Sequence, residues 1–169
     1  QLPEHQSAKK IFTDYDYFSS YSKSWIEHSK KYVNEIIRFA KLKNESKICE
    51  VASNDGYLLQ FFKEEGFKVL GVEPAKNVAD VAIKKGINTE KLFFGTVNAK
   101  KLKKEYGNQD LLIANNVLAH VPNILDFCEG VKIILSPAGI ATFEFPHFYN
   151  LINKLQFDTI YHEHFSYLT

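Results

Sequence analysis

The sequence has few of the residues that mark metal-binding, disulfide-rich or arginine-rich proteins. Its 169 residues contain no methionine, two cysteines and one tryptophan, and Arg38 is the only arginine. Cys49 and Cys128 lie far apart and belong to no Cys-x-x-Cys or Cys/His spacing, so the sequence predicts no metal site. Two isolated thiols are typical of a reducing cytosol. The preference for lysine over arginine indicates an AT-rich bacterial genome.

Excess charge and long apolar runs are also missing. The 21 basic and 20 acidic residues leave a net charge of +1, so neither nucleic acid nor a membrane surface is expected as a partner. No apolar run approaches the roughly 20 residues of a spanning helix, and no signal segment opens the chain. We therefore expect a cytoplasmic protein. Hydrophobic residues make up 45% of the chain, which is enough for a core and excludes disorder.

The two ends of the chain favour a fragment of a longer protein. The sequence starts at Gln1 without a methionine, and it stops at Thr169 directly after a dense group of His, Glu and Tyr. Residues 1–23 are polar and aromatic without a clear period, which predicts an arm or lid. Residues 24–169 show no repeat or linker, so we expect one domain there, truncated at both ends.

Short apolar runs alternate with helical patterns along the rest of the chain. Apolar residues from Trp25 to Ala40 recur at helical spacing and predict a helix over about 24–42. Strands are predicted at 47–52, 67–72, 92–94, 110–114 and 140–145, and further helices at 57–66, 75–85, 97–106, 124–135 and 148–155. This alternation predicts an α/β fold, with a mostly parallel, Rossmann-like sheet of five strands and helices on both faces.

A polar turn follows the first predicted strand, at the place where open α/β sheets bind their ligands. Its side chains are small, which lets the backbone approach a ligand, and Asn54 and Gly56 can both adopt positive φ. Glu73 ends the second predicted strand about 20 residues later, where an acid can accept hydrogen bonds from both ribose hydroxyls. A single glycine is a weak signal, and an ordinary strand–helix loop would look the same.

This turn resembles the acidic-x-Gly-x-Gly-x-Gly motif of class I methyltransferases. Glu50, Ala52, Asn54 and Gly56 match it position by position, with Ala and Asn in place of two glycines. A pyrophosphate would tolerate those replacements poorly because its phosphates need close backbone approach. S-adenosylmethionine carries no phosphate, so the departure favours S-adenosylmethionine as the cofactor. The resemblance implies further cofactor contacts by Glu73, Pro74, Thr96, Asn115 and Asn116. The two asparagines would otherwise cap the following turn.

The segment Phe157–Thr169, with its Tyr-His-Glu-His sequence, carries a more specific resemblance. Together with residues 52–59 and 144–146, it is similar to the C-methyltransferases that act on nucleotide-linked keto-deoxysugars. That family has a cysteine-rich zinc module before the methyltransferase domain and a further domain after it that completes the sugar-nucleotide pocket. The resemblance implies a nucleotide-linked sugar as the substrate, and it covers the chain from about Tyr15 to Thr169.

Methylating a carbon atom needs a carbanion equivalent, most easily an enolate formed by removing a proton next to a ketone. Histidine, with a pKa of about 6.5, suits such a base. A tyrosine hydroxyl or a second histidine can stabilise the enolate oxygen. By resemblance His164 is the base, with Tyr161 and Glu163 beside it, and His120 and Tyr15 bind or polarise the keto sugar.

Other interpretations of these residues stay open at the level of sequence. In an extended strand Tyr161 and Glu163 would face one way and His162 and His164 the other, and a bend would break this pattern. The two histidines could instead form a metal pair or lie on the surface. His120 could be an ordinary buried histidine, and Tyr15 a packing residue of the lid.

Three other functions also stay open. One is a methyltransferase that acts on oxygen, which needs a base near a hydroxyl but no enolate stabiliser. Another is a nicotinamide-binding oxidoreductase. The absence of a Gly-x-Gly-x-x-Gly run argues against it. The third is an S-adenosylmethionine-binding fragment without activity of its own.

Overall fold

The computed structural model describes Lys10, Phe12 and residues 15–161 and 163–169. Within these residues, five strands form one sheet in the order β3-β2-β1-β4-β5, and every pair of neighbours is parallel. The strands are β1 (Lys47–Val51), β2 (Lys68–Val72), β3 (Thr89–Glu90), β4 (Gln109–Asn115) and β5 (Leu135–Glu144). The strand order reverses between β1 and β4, so their carboxyl ends diverge and leave a crevice.

In the same described residues, six α-helices connect or flank these strands. They are α1 (Lys23–Phe39), α2 (Leu59–Glu64), α3 (Lys76–Lys84), α4 (Thr96–Tyr106), α5 (Ile124–Ile134) and α6 (Phe148–Asn153). The Ser22 side chain begins α1 by accepting a hydrogen bond from the Trp25 N–H, which satisfies one of the free donors of the first turn. None of the helices in the described part of the chain is long and apolar enough to span a membrane.

Alternate residues of the buried strands pack on opposite faces of the sheet. On one face, Ile48 of β1 and Leu111 of β4 pack with α1 and α2, for example with Phe62. On the other face, Cys49 and Leu112 pack with α4 and α5. This arrangement explains why β1 and β4 have nearly continuous apolar sequences, because both of their faces are covered.

The predicted five-stranded parallel α/β architecture is confirmed, but the third strand is not where the sequence placed it. The strand is Thr89–Glu90, which pairs with Gly71 and Val72 at the very end of β2. β2 ends at Val72, so residues 92–94 do not continue its pairing with β3. This apolar run turns towards the crevice instead. There Phe94 packs edge-on against Phe127, with ring centroids 5.3 Å apart.

The fifth strand also differs from its predicted bounds. It begins at Leu135, directly after α5, whereas the sequence predicted a turn there and a strand from residue 140. The pairing with β4 contains a register shift between Gln109 and Leu111. A bulge of this kind accommodates the extra residues around Pro137 without interrupting the strand.

Candidate cofactor and active site

A cavity of about 830 Å³ opens at the carboxyl ends of the strands, where the strand order reverses. Its volume lies within the range of about 300–1,000 Å³ that is usual for small-molecule sites. The walls carry residues from the tips of β1, β2 and β4, from the arm before α1, and from the loops that follow β3 and β4. The cavity is therefore where the sequence predicted a ligand site.

The turn after β1 is held in a left-handed backbone conformation at three alternate positions. Ala52, Asn54 and Gly56 have φ values of 57°, 49° and 78°. At Gly56 a Cβ atom would lie 2.2 Å from Cδ1 of Ile87, so a side chain has no room there. The motif that this turn resembles has glycine at all three positions, which left-handed backbone explains. Ala52 and Asn54 adopt the same geometry at some conformational cost.

Glu73 is buried at the tip of β2 and lines the cavity. Its Oε2 accepts a hydrogen bond of 2.9 Å from the Asn54 N–H, and its Oε1 accepts one of 2.9 Å from the Ala75 N–H. Burial raises the pKa of Glu73, and these two donors lower it in part. The carboxylate is thus fixed in orientation while its remaining lone pairs are available to a ligand in the cavity.

The other predicted cofactor residues fall into two groups. Ala52, Pro74, Asn115 and Asn116 line the cavity, as do Asn54 and Glu73. Glu50, Gly56 and Thr96 do not.

The three residues away from the wall have identifiable positions. Glu50 is fully buried below the cavity, and burial raises its pKa well above the ordinary value. Gly56 packs on Ile87, as described above. Thr96, which was expected to contact the cofactor, lies next to the wall: its hydroxyl donates to the Asp126 carbonyl at 3.2 Å, and Asp126 lines the cavity.

Three aromatic side chains of the predicted catalytic group lie together at the other end of the cavity. The His164 ring centroid is 4.0 Å from that of Tyr161 and 4.6 Å from that of His120. His120 and Tyr161 line the cavity, and His164 is buried behind them with 3% of its surface exposed. Among the described residues, no group of three or more His, Cys, Asp and Glu side chains is arranged to hold a metal ion.

The hydrogen bonds of the two histidines define which nitrogen carries a proton. Nδ1 of His164 is 2.9 Å from the Thr159 carbonyl oxygen, and Nδ1 of His120 is 3.1 Å from the Glu163 carbonyl oxygen. A carbonyl can only accept, so each neutral ring carries its proton on Nδ1 and leaves the Nε2 lone pair free. Burial lowers the pKa of both rings, and burial with the neighbouring His164 lowers that of His120 to about 4. Both are therefore neutral at pH 7.

The backbone at this cluster is bent, so the alternation of side chains expected for an extended strand does not apply. The His164 N–H donates to the Tyr161 carbonyl at 3.0 Å, which closes a turn and brings both rings to the same side. The next two residues, Phe165 and Ser166, donate their N–H groups to the Ala119 carbonyl and anchor the turn beside His120. His162 lies outside the described residues.

Tyr15 lies on the arm between the two ends of the cavity. Burial first, and then the charges of Glu163, Tyr161, Tyr17 and Glu73, raise its pKa to about 12. Tyr15 lines the cavity, whereas Glu163 is half-buried and contacts the site through its carbonyl group. Burial and Glu163 also raise the pKa of Tyr161. Both tyrosines are therefore hydrogen-bond donors at any working pH.

Sequence reasoning missed several residues of the site. Trp25 and Tyr57 line the cavity and stack with ring centroids 6.1 Å apart, and Phe12 contacts His120 at 5.7 Å. Asn77, in the first turn of α3, holds the arm through its side chain. The sequence marked Trp25 only as one of the apolar residues of a predicted helix, and nothing in the local sequence marks Asn77.

The fold and the cavity define a Rossmann-like domain with a binding site at the switch point of its sheet. The chain matches the family described as a methyltransferase domain over residues 24–169, and it belongs to that family. A curated relative, the C-methyltransferase NovU of Streptomyces niveus, is 34% identical over 159 residues. The alignment covers 94% of this chain and 38% of NovU, so the chain spans well under half of that relative.

Solved structures share the fold at low sequence identity. The plantazolicin methyltransferase BpumL in complex with S-adenosylhomocysteine has a TM-score of 0.60 and 12% identity, and the match covers 80% of this chain and 51% of BpumL. An S-adenosylmethionine-dependent methyltransferase from Archaeoglobus fulgidus has a TM-score of 0.58 and 20% identity, over 76% and 57% of the two chains. The predicted class I methyltransferase fold and S-adenosylmethionine as cofactor are confirmed.

Proposed function

We propose that this domain transfers the methyl group of S-adenosylmethionine to a carbon atom of a nucleotide-linked keto sugar, by way of an enolate. The histidine–tyrosine cluster at one end of the cavity supports the enolate chemistry. The 34% identity to a protein named as a C-methyltransferase supports carbon as the acceptor. The assignment of a sugar as the substrate rests on the resemblance of the Tyr-His-Glu-His segment to sugar C-methyltransferases.

The cavity suits the cofactor that the family implies. Glu73 is positioned to accept hydrogen bonds from the ribose hydroxyls, and Asn115 and Asn116 offer amide groups to the methionine end. Ala52 and Pro74 shape the wall beside them. Among the described residues that line the cavity there is no lysine or arginine. A phosphate-free adenosyl ligand needs no such cation, whereas the pyrophosphate of a nicotinamide cofactor would lack a counter-charge.

The same absence of cations limits where the substrate can lie. The diphosphate of a nucleotide-linked sugar carries negative charge, which favours lysine or arginine as partners. Since the described cavity wall offers none, we place only the keto sugar in the cavity, next to His120 and Tyr161. The diphosphate and base of the substrate then lie beyond this wall.

The residues of the cluster divide the chemistry between them. S-adenosylmethionine supplies a methyl group on a sulfonium, whose carbon–sulfur electron pair returns to sulfur on transfer. We assign removal of the proton next to the ketone to Nε2 of His164, which lies directly behind His120 and Tyr161 and would have to reach the sugar between them. The electrons of that C–H bond form the enolate that attacks the methyl carbon. His120 is neutral, and its Nε2 lone pair accepts a hydrogen bond from a sugar hydroxyl. The donor to the enolate oxygen is therefore a tyrosine, Tyr15 or Tyr161.

One observation carries the proposal: the buried His164 ring has Nδ1 bonded to Thr159 and no partner for Nε2 among the described residues, and it lies against two residues that line the cavity. The test supplies methyl-¹³C S-adenosylmethionine and a nucleotide-linked keto-deoxysugar and follows the label by NMR. A carbon-bound methyl group is the expected product. An oxygen-bound methyl group would instead support O-methylation.

The pH profile of the reaction tests the base. His164 acts in its neutral form and its pKa is lowered by burial, so kcat/KM should be constant near pH 7 and fall on the acid side of pH 6.5. The fall should disappear from the residual activity of His164→Gln. If kcat/KM already falls as the pH is lowered from 9 to 7, the base is another group with a higher pKa.

A further inference from the structure

Two asparagine side chains hold the arm across the cavity by its backbone. Asn54 accepts a hydrogen bond from the Ser19 N–H at 2.9 Å and donates to the Tyr17 carbonyl at 3.0 Å. Asn77 accepts from the Tyr15 N–H at 3.3 Å and donates to the Tyr15 carbonyl at 2.9 Å. Each amide therefore pairs with one donor and one acceptor of the arm, much as a neighbouring strand would.

These hydrogen bonds fix three alternate residues of the arm over the cavity. Tyr15, Tyr17 and Ser19 all line it. Because the asparagines bond only to main-chain groups, the arm is held irrespective of its own side chains. Lys85 adds a weaker, exposed contact through the Ser20 hydroxyl at 3.0 Å. The Tyr15 ring consequently lines the cavity, and the charges of both Glu163 and Glu73 act on its hydroxyl.

Both asparagines also belong to the two short segments that orient Glu73. The main-chain N–H of Asn54 donates to Glu73, while its side chain holds the arm. Asn77 follows two residues after Ala75, whose N–H donates to the other oxygen of Glu73. The carboxylate that we assign to the ribose and the two amides that hold the arm thus share the same two short segments.

We propose that Asn54 and Asn77 are positioning residues that couple cofactor binding at Glu73 to closure of the arm, and that they set Tyr15 against the keto sugar. This inference rests on the proposed function in placing S-adenosylmethionine at Glu73 and the keto sugar beside Tyr15. A cofactor that fixes Glu73 also fixes the two segments that carry the asparagines, so it stabilises the closed arm. Coupling of this kind is reciprocal, so releasing the arm must weaken cofactor binding by the same factor.

The first experiment compares Asn77→Ala with Asn108→Ala. Asn108 is a matched control, because its amide donates to the Leu135 carbonyl at 2.9 Å at the opposite end of the sheet. Calorimetry with S-adenosylhomocysteine should show a Kd at least about fivefold higher for Asn77→Ala and unchanged for Asn108→Ala. Hydrogen exchange at the Tyr15 amide should slow when S-adenosylhomocysteine binds the wild type, but not when it binds Asn77→Ala.

The Asn77→Asp variant separates the two hydrogen bonds of this side chain. Aspartate keeps the oxygen that accepts from the Tyr15 N–H and loses the N–H₂ that donates to the Tyr15 carbonyl. We expect partial recovery of amide protection at Tyr15, with a Kd for S-adenosylhomocysteine between those of wild type and Asn77→Ala. A loss equal to that of Asn77→Ala in both measurements would show that the acceptor has no part in the coupling.

The second experiment uses Asn54→Gly, which cannot be dismissed as a folding defect. Glycine relieves the left-handed backbone at residue 54 while it deletes the contacts to Tyr17 and Ser19. Lys41→Gly is the control, since Lys41 also has positive φ, at 49°, and is remote from the cavity. Asn54→Gly should fold at least as stably as wild type and yet raise the Kd for S-adenosylhomocysteine at least about fivefold.

The outcomes separate this inference from the proposed function. If the wild type binds no S-adenosylhomocysteine, the placement of the cofactor fails first. If the wild type binds it, but Asn77→Ala and Asn54→Gly bind with unchanged Kd and the same slowing of exchange at Tyr15 and Ser19, the coupling is overturned while the cofactor site stands.

Discussion

The end of the cavity to which we assign the cofactor, with Asn54, Glu73 and Asn115 (the cofactor end), is formed by the tips of neighbouring strands. The end with His120 and His164 (the histidine end) is completed by a segment that returns from far along the chain. Glu73 and Asn54 are bonded across 19 residues of sequence, in adjacent strand–helix units. His120 and Glu163 are bonded across 43 residues. The turn that carries His164 is anchored to the Ala119 carbonyl by two main-chain hydrogen bonds, from Phe165 and Ser166.

Under the proposed function, this difference assigns cofactor binding to one end of the cavity and chemistry to the other. A parallel sheet fixes the cofactor end, because register and strand order determine where Glu73, Asn54 and Asn115 meet. The histidine end depends on how one C-terminal turn packs on the loop after β4. We therefore expect substitutions at the histidine end to change turnover with little effect on cofactor affinity, and substitutions at the cofactor end to do the reverse.

The largest effect is expected for His164→Ala. Loss of a positioned base should lower kcat of the proposed C-methylation by about 100-fold to 10,000-fold. Calorimetric binding of S-adenosylhomocysteine should stay within about twofold of wild type, because His164 does not line the cavity. Unchanged turnover would remove His164 as the base. A large loss of affinity would show that the two ends are not separable.

Acid should destabilise the histidine end through His120. Its pKa is about 6.5 in the unfolded chain and about 4 in the folded protein, so the unfolded state binds more protons between these values. Stability therefore falls as pH decreases through this window, by about 3 kcal/mol for this one group. Urea unfolding at pH 7 and pH 4 measures the loss.

Burial raises the pKa of acids such as Glu50 and Glu73, so their protonation changes stability with the opposite sign. The informative quantity is therefore a difference between two proteins. In His120→Asn the amide can still donate to the Glu163 carbonyl, but it does not titrate. The pH-dependent loss should be about 3 kcal/mol smaller in this variant than in wild type. Equal losses in both proteins would mean that His120 is solvated and protonates normally.

A smaller effect is expected for Glu73→Ala at the cofactor end. Losing charged hydrogen bonds to the ribose should raise the Kd for S-adenosylhomocysteine about 10- to 30-fold. Glu90 is the matched control because it ends the neighbouring strand β3 but accepts its hydrogen bond from the Tyr106 hydroxyl, at 2.6 Å. Glu90→Ala should leave the Kd unchanged. Equal affinities for Glu73→Ala and wild type would contradict the ribose assignment.

The two ends of the cavity also differ in how far the sequence predicts them. The order of apolar runs and polar turns was enough to expect the parallel sheet and to put Glu73 and Asn115 at strand tips. The third strand was misplaced at residues 92–94 because a two-residue strand has no hydrophobic period of its own. The bend at His164 depends on bonds to Ala119, 45 or more residues away, and no local pattern indicates it.

Asn77 shows a further limit of sequence reasoning. Its side chain bonds to the backbone of Tyr15, 62 residues earlier in the chain. A contact to main-chain groups imposes no requirement on the residue types of the arm, so the arm sequence carries no trace of it. Nor does the sequence of α3, where an asparagine in the first turn is ordinary. Such positioning residues become visible only once the fold brings the segments together.

The smallest effect concerns the backbone of the cofactor end. Ala52 has φ of 57°, which an L-residue adopts at some cost, so Ala52→Gly should raise the free energy of unfolding by about 0.5–1 kcal/mol. For a chain of this size, 1 kcal/mol corresponds to a Tm shift of about 2–4 °C.

Ala40→Gly is the control for this last prediction, because Ala40 directly follows α1 and has an ordinary right-handed φ of −81°. Glycine there gains no relief and loses backbone entropy, so stability should fall by about 0.5–1 kcal/mol. If both variants lose stability equally, the turn after β1 stores no strain, and the alanine is as well suited to its position as the glycine of the motif it resembles. Opposite signs would show that this chain keeps a strained turn at the cofactor end.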